Sequence, residues 1–547
     1  MAGRWVDKRD LKGPQGVSVV GSTINGSGEL IMTMSNGTTL NVGVVRGGQG
    51  LPGTNANPAD TAVAGYVSTT GTSLTQTALD ARYAKHGDSQ FNVKKFGALG
   101  NWNPTAGTGA DDTAAINACL AAAGTTPVVL PPGNYRITGA GLNIQSDDQT
   151  IIGLGGVLYA DDYVGIIRTV KERTLIDGVR FVGGNICVEA GNPNGIVGTP
   201  TGNSAIVQNC SAKGIRSFVE VRYANDARVL NNTATGITQS GVVFWGGDAN
   251  PVNPTYPGAF TYGVVGGLVE GNHFTGFVNG PLISSPCWTS CAYGVRVKGN
   301  YFNGFMDTGI DFEGSQACIA EGNVVIDCSN GNLVTVWTSI NCKFDNNLSI
   351  ITLAMSNNFP RSCIRLEAVG SAAGNVFSNN TLIMARQPDG NISGFGVYVT
   401  KEGSTLSRIS NTKISIVNNV FYDCNINVQG LEGSRIVGNS VKGGNIELSG
   451  CKDMKVLYNE IDVLGPSTSP SLYMGSPNVS FPGTKYVVKG NVIRKNNGGA
   501  ADGGITVGNI AGAGALNHVI TDNLVCLAVT VAVADATIYQ ARNDIIP

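Results

Sequence analysis

Asp311 and Glu313 stand two residues apart in Ile310-Asp311-Phe312-Glu313, so alternation along a short strand carries both carboxylates to one side. Phe218-Val219-Glu220-Val221-Arg222 separates Glu220 and Arg222 from two inward valines in the same way. Ile364-Arg365-Leu366-Glu367 offers Arg365 and Glu367, Val397-Tyr398-Val399 offers Tyr398, and Val334-Thr335-Val336-Trp337 offers Trp337. Glycoside hydrolysis needs two carboxyls about 5–5.5 Å apart for retention or about 6.5–9.5 Å for inversion. Alternate residues of one strand fall roughly 6.6 Å apart, and Asp311 and Glu367, two coils apart if the strands stack, about 10 Å. Either pair fits. A lyase needs instead a base and a partner for a uronate carboxylate, for which Arg222, Arg365 and Tyr398 are candidates. Aromatic rings suit the apolar side of a pyranose. The plainer reading is a solvated face with incidental charges. Asp248 and Asp307 flank these strands, but no calcium-loop pattern surrounds them, and no metal or cofactor is expected.

These residues need a scaffold that stacks short strands, and the chain carries its signature. An apolar residue, two arbitrary ones and Asn recur twelve times, from Ile206 to Asn209 and Val229 to Asn232 through to Ile520 to Asn523. Successive Asn are 23, 40, 28, 23, 24, 33, 39, 20, 20, 32 and 32 residues apart. A floor near 20 with variable excess marks a solenoid. Propeller blades need about 40 to 45 residues each, and leucine-rich repeats need Leu at fixed offsets. The expected fold is all-β, a parallel β-helix. Asn suits its corner, since it tolerates a left-handed backbone and can bond to the Asn of the next coil. Gly153 and Gly178 are expected to serve the earlier coils. The long stretches Gly246 to Gly266 and Pro281 to Tyr293, the second carrying Trp288, read as insertions that wall a cleft or meet another copy.

Ahead of the repeat, Asp111-Asp112-Thr113 leads into a helix with Ile116 and Leu120 on one face. Asp111 or Asp112 is expected to cap its first turn. Phe91-x-Val-x-x-Phe96-Gly-Ala, Asp111-Asp-Thr-x-Ala-Ile116 and Val129-Leu-Pro-Pro-Gly-x-Tyr135-x-Ile137 together resemble the opening motif of pectate-lyase-like phage tailspikes and tail fibres. The resemblance implies a right-handed parallel β-helix with an N-terminal capping helix, a homotrimer, a host cell-surface polysaccharide as ligand and a place in the virion tail. It carries no catalytic residue, because the motif is architectural. The loop Asn101 to Ala110 is longer than the short link associated with the family.

The expected organisation is therefore an attachment and trimerisation segment at 1–90, which contacts other tail proteins, the β-helix opening at 91–140, the β-helix at 141–525 and a tail at 526–547. Within the first segment, Val17 to Val45 reads as a β-meander with type I′ turns at Asn25-Gly26 and Asn36-Gly37. Short helices are expected from Pro58 and at Thr75 to Ala84. Composition agrees with a turn-rich β architecture: 76 Gly in 547 residues and only 14% charged residues. Thirty-six basic against 38 acidic residues give a net charge of -2, too little cationic field for nucleic acid as the main ligand. Leu527 to Ala534, the longest apolar run, is far short of a membrane span. The first residues lack a secretory signal pattern, so synthesis in a host cytoplasm and action at the cell surface are expected. The 12 Cys are scattered and read as small buried hydrophobes, with a Cys287–Cys291 disulfide as the lesser alternative.

Overall fold

The structure, a computed structural model, describes residues 19–44 except 28, and 90–545 except 196, 250–260, 278–283, 353–360, 368–371, 389–391, 401–411, 465–470, 477–482, 497–503, 511–516, 527–528 and 532–537. Residues 1–82 and 83–547 form two compact units. In the first, Val19–Ile24, Glu29–Met34 and Thr39–Val44 make the expected antiparallel meander. Its turns differ from type I′, which requires positive φ at both central residues. Only Gly37 has it, at +81°, so the second turn is the longer kind that closes on one left-handed glycine. Asn25 and Asn36 act through their side chains, whose Oδ1 atoms accept the backbone N–H groups of Ser27 and Thr38 at 3.0 and 3.1 Å. The two short helices expected beyond it lie outside the described residues.

The second unit is built from three parallel sheets, visited in turn by each complete coil. The first has seventeen strands, from Phe91–Asn92 to Tyr539–Ala541; the second has sixteen, from Gly133–Ile137 to Asp544–Ile545. The third has fifteen, from Leu142–Asn143 to Val529–Val531. This is the expected parallel β-helix, right-handed as parallel crossovers are in nearly all cases. It runs past residue 525, where a tail was expected: Val529–Val531, Tyr539–Ala541 and Asp544–Ile545 continue the three sheets.

The corner between the first and second sheets fixes the register. In each of the sixteen coils that cross it, two residues make the connection. From Gly178 and Asn209 onward the first of the two has φ between +51° and +68°, and the second points inward. The repeated Asn is that second residue, so the left-handed conformation assigned to it belongs to its predecessor, which is Gly271, Asn346, Tyr458 or Arg542 as readily as any other. The ladder Asn instead satisfies buried amides. Asn300 Nδ2 donates to Asn323 Oδ1 at 2.9 Å and to Val269 O at 2.9 Å, while its backbone N donates to the same Asn323 Oδ1 at 3.0 Å. The pattern runs from Asn232 to Asn543. Asn209 is not a member; it takes the left-handed place, and Cys210 takes the inward one, donating its N–H to Asn232 Oδ1 at 2.8 Å. Gly178 likewise precedes the inward Val179, and Gly153 has no positive φ.

Inward side chains stack coil on coil. Phe344 and Phe377, paired on neighbouring strands of the first sheet, stack with ring centroids 4.9 Å apart, one strand spacing, Phe312 of the third sheet meets Phe344 at a tilt across the core, and all three are fully buried. Burying each such ring contributes about 1.5–3 kcal/mol. The helix Thr113–Ala123 closes the N-terminal end with Ile116, Cys119 and Leu120 against this core. Asn117 covers the free edge of the first third-sheet strand: its Nδ2 donates to Gly141 O and its Oδ1 accepts from Asn143 N, both at 2.9 Å. The two aspartates divide their work. Asp111 Oδ1 accepts the Thr113 N–H at 3.0 Å, whereas the Asp112 carboxylate turns away to accept Leu99 N at 2.6 Å and Gly100 N at 3.2 Å, tying down the loop before the helix.

Eleven of the Cys are buried thiols outside any disulfide, Cys287 and Cys291 among them. Burial pushes the Cys210 and Cys291 thiols up to about 12, as expected of core residues.

Candidate functional site

The outer face of the third sheet carries the residues singled out by alternation. Strand register aligns one outward column as Arg168, Glu189, Glu220, Val243, Trp288, Asp311, Val334, Arg365, Tyr398, Asn427, Glu447 and Tyr473. Two residues further along each strand a second column holds Arg222, Trp245, Ser290, Glu313, Val336 and Glu367. Six of the nine expected residues therefore stand where alternation placed them: Glu220, Arg222, Asp311, Glu313, Arg365 and Tyr398. Glu367 also has the outward register, on backbone position alone.

The two tryptophans depart from expectation. Trp288 is on the strand Ser285–Ser290 and not in an inserted loop, so Pro281 to Tyr293 is mostly an ordinary third-sheet segment. Trp337 lies past the end of its strand, Gly331–Val336, in a left-handed turn with φ +57°. At that coil the outward register belongs to Val334 and Val336, beside Asp311 and Glu313, while Thr335 points inward. The run Val-Thr-Val misled because polarity usually marks the outer side; here neighbouring side chains cover the outward valines, and Val334 is fully buried.

Three chemical zones follow one another along the face. The first is a cluster of two carboxylates and two guanidinium groups. Arg222 Nε donates to Glu220 Oε2 at 2.9 Å and lies 3.8 Å from Glu189 Oε1, and Arg168 Nε sits 3.2 Å from the other Glu189 oxygen. Laid end to end, the 3.8 and 2.9 Å legs keep those two carboxylate oxygens no more than about 6.7 Å apart, close enough for both to reach one glycosidic bond. Burial pushes the Glu189 carboxyl above the usual range; Arg168 and Arg222 oppose the shift, and Glu220 adds to it.

The second zone is aromatic and acidic. Trp245 and Trp288 meet edge to face, ring centroids 5.7 Å apart, and Trp288 Nε1 donates to Ser240 Oγ at 3.0 Å. Asp311 follows Trp288 on the next strand, with Glu313 beyond it. Asp311 is only 2% exposed, while Glu313 is half-buried. Arg365, two strands on, reaches sideways: its Nη1 donates to Asn330 O at 3.1 Å, and Asn330 Nδ2 donates to Asp307 Oδ1 at 3.1 Å. In the third zone Tyr398 stacks on Phe395 at 4.8 Å, Asn427 Nδ2 donates to Glu447 Oε2 at 3.3 Å, and burial pushes the Glu447 carboxyl up.

Arg168, Glu189, Trp245, Asn427, Glu447 and Tyr473 escaped the sequence reading. Ile186-Cys187-Val188-Glu189 alternates as clearly as the strand of Glu220, but the corner before it is Gly178-Val179, without the Asn that flagged later coils. Trp245 was hidden in Val242-Val243-Phe244-Trp245, where continuous apolarity masks alternation.

No known protein family matches this chain, and no curated protein does. Among solved structures, similarity extends to phage tailspikes and to polysaccharide-acting enzymes. A mutant tailspike protein of E. coli bacteriophage HK620 in complex with a pentasaccharide is 12% identical, over 88% of this chain and 85% of its own, with a TM-score of 0.46. A family 28 exopolygalacturonase of Yersinia enterocolitica is 10% identical over 75% and 79%, with a TM-score of 0.43. The catalytic unit of a GH87 α-1,3-glucanase of Streptomyces thermodiastaticus is 13% identical over 84% and 70%, with a TM-score of 0.38.

Proposed function

We propose that this chain is a phage tailspike or tail fibre that binds a host cell-surface polysaccharide along the outer face of the third sheet and cleaves it by glycoside hydrolysis. The observation that carries the reading is the outward column itself. Guanidinium groups, carboxylates, indole and phenol rings follow each other at a strand spacing of about 4.8 Å, the order of a sugar unit. A polymer laid along the rod meets ring-stacking surfaces at Trp245, Trp288 and Tyr398, and hydroxyl or acid partners at Arg222, Arg365 and Glu367.

For cleavage, Asp311 and Glu313 are the first pair. Asp311, the more enclosed, gives its proton to the glycosidic oxygen as the C1–O bond breaks; Glu313 takes a proton from the water whose oxygen bonds to C1. Their backbone separation of roughly 6.6 Å suits this single displacement. Glu220, now with Glu189 beside it, is next in line, followed by Glu367. Incubation with host polysaccharide, scored for new reducing ends and in parallel for the absorbance of an unsaturated uronate, tests the reading. Reducing ends without that absorbance support hydrolysis. The absorbance signals a lyase acting through Arg222, Arg365 or Tyr398. Binding without either product leaves an adhesin.

In the same reading the protein is a homotrimer of the virion tail, joined to other tail proteins through residues 1–90. No helix among the described residues is long and apolar enough to cross a membrane.

A further inference from the structure

Charge is divided unequally among the three sheets. Among the described residues, the fifteen strands of the third sheet carry three Arg, no Lys and six Asp or Glu, a balance of -3. The sixteen strands of the second sheet carry six basic and four acidic residues, a balance of +2, and the seventeen of the first carry seven and four, a balance of +3. The three guanidinium groups of the third sheet are already engaged. Arg168 lies 3.2 Å from Glu189, Arg222 donates to Glu220 at 2.9 Å, and Arg365, 5% exposed, donates to Asn330 O at 3.1 Å. Between Arg222 and Arg365 the outward columns hold Trp245, Trp288, Asp311 and Glu313, with no Lys or Arg among the described residues. The sequence extends that deficit through the long connections. From 229 to 360 its only Lys or Arg are Arg296, Lys298 and Lys343, all on first-sheet strands, against eight Asp or Glu. One of the eight, Asp248, is tied beside the second column: Ala249 N donates to Ser290 Oγ at 3.2 Å, and that hydroxyl donates to Gly247 O at 2.7 Å. Burial pushes the Cys291 thiol up, and the nearby carboxylates of Asp248 and Glu313 add to the shift.

We propose that the sugar units lying over Trp245, Trp288, Asp311 and Glu313 are uncharged, so that the substrate is a neutral polysaccharide and not one bearing uronate, sialate or phosphate groups. This rests on the polysaccharide reading above and narrows it. An anionic sugar placed there would give up its water without gaining a counter-charge. It would also stand beside like charges, the arrangement by which a binding face rejects a wrong partner. A neutral sugar meets neither cost: its hydroxyls donate to the carboxylates, and its apolar side covers the indole rings. The positive balance of the other two sheets acts in the same sense, since it draws a polyanion away from the third. The charge distribution also bears on the bond broken. Elimination removes the proton next to a uronate carboxylate and needs a cation against that carboxylate, and none stands over this stretch among the described residues. Hydrolysis at an uncharged unit needs only the carboxyl pair and water.

The full-length chain is tested on an array of purified bacterial surface polysaccharides of known repeat unit, both uncharged and acidic. Each uronate- or sialate-bearing polymer is printed beside its carboxyl-reduced form, which keeps the linkages and loses the charge. The polymers retained are expected to be uncharged, with retention and cleavage changing less than about twofold between about 20 and about 500 mM sodium chloride, because no ion pair is there to be screened. Where a reduced polymer is retained, it is expected to bind at least about tenfold more tightly than its acidic parent. Capture of a phosphate-bearing polymer, preference for an acidic parent over its reduced form, or binding that weakens at least about tenfold across that salt range overturns the inference and leaves the depolymerase reading standing. An array that retains nothing overturns the polysaccharide reading, and this inference with it.

Discussion

At the scale of single residues, the face of the third sheet offers two carboxylate pairs, and substitution separates them. Asp311→Asn and Glu313→Gln are each expected to lower turnover by at least about 100-fold while glycan binding and melting persist, because each replacement keeps the size and shape of the side chain. If both variants cleave at wild-type rates and Glu220→Gln or Glu189→Gln does not, the cluster around Arg222 is the reacting centre. Glu447 supplies a test that needs no substrate. Burial raises its carboxyl pKa, so between the ordinary carboxylate value near 4.3 and the raised one the native chain holds more protons than the unfolded chain. Stability at this residue therefore falls as pH rises through that window and stays lower above it. Glu447→Gln removes the effect: its melting midpoint should exceed wild type by about 1 °C at pH 7 and match it near pH 4. An equal difference at both pH values would deny the role of burial.

At the scale of elements, the Asn ladder and the strands it aligns carry the register. Asn347 Nδ2 donates to Asn380 Oδ1 and to Ala320 O, both at 3.0 Å, and its own Oδ1 accepts from the N and Nδ2 of Asn323. Asn347→Ala strands those buried groups and should cost about 2–4 kcal/mol in chemical denaturation; a loss under about 0.5 kcal/mol would show that water or relaxation replaces the ladder. This element was legible in the sequence because its requirement is chemical: only a short side chain that both donates and accepts repeats the bond indefinitely. Asn209 was placed one step out of register because Asn also serves the left-handed position, and the letter does not say which of two adjacent sites it fills. The site was legible wherever polar and apolar residues alternate, as at Glu220 and Arg222, and illegible where covering neighbours let valine face outward, as at Val334 and Val336. Trp337 failed for the same reason. Which side chains meet across strands thirty residues apart, as Arg222 meets Glu189, is set by connection lengths that only the folded coil reveals.

At the scale of the molecule, seventeen stacked strands give the second unit a first sheet about 75 Å long, each coil bonded chiefly to the two beside it. Stability then accumulates coil by coil, and the unit has its own continuous core and its own cap. Removal of residues 1–82 should accordingly leave the melting of the β-helix and its action on polysaccharide unchanged, while abolishing any attachment that the first unit provides. A truncated chain that no longer folds would show that the two units depend on each other.

Of the three corners in each coil, one is always two residues long, and the other two run from two residues to more than twenty, as between Trp245 and Leu268. Inheritance can therefore act on them separately. An insertion at the fixed corner displaces the ladder Asn and misaligns every coil above it, whereas one at either of the other corners leaves the stacking intact. Both permissive corners flank the third sheet. A lineage pressed to recognise a changed receptor can lengthen, shorten or exchange the rims of that face in a single generation while the frame beneath keeps its pitch, and whole coils of about twenty residues become units that recombination can trade between rods.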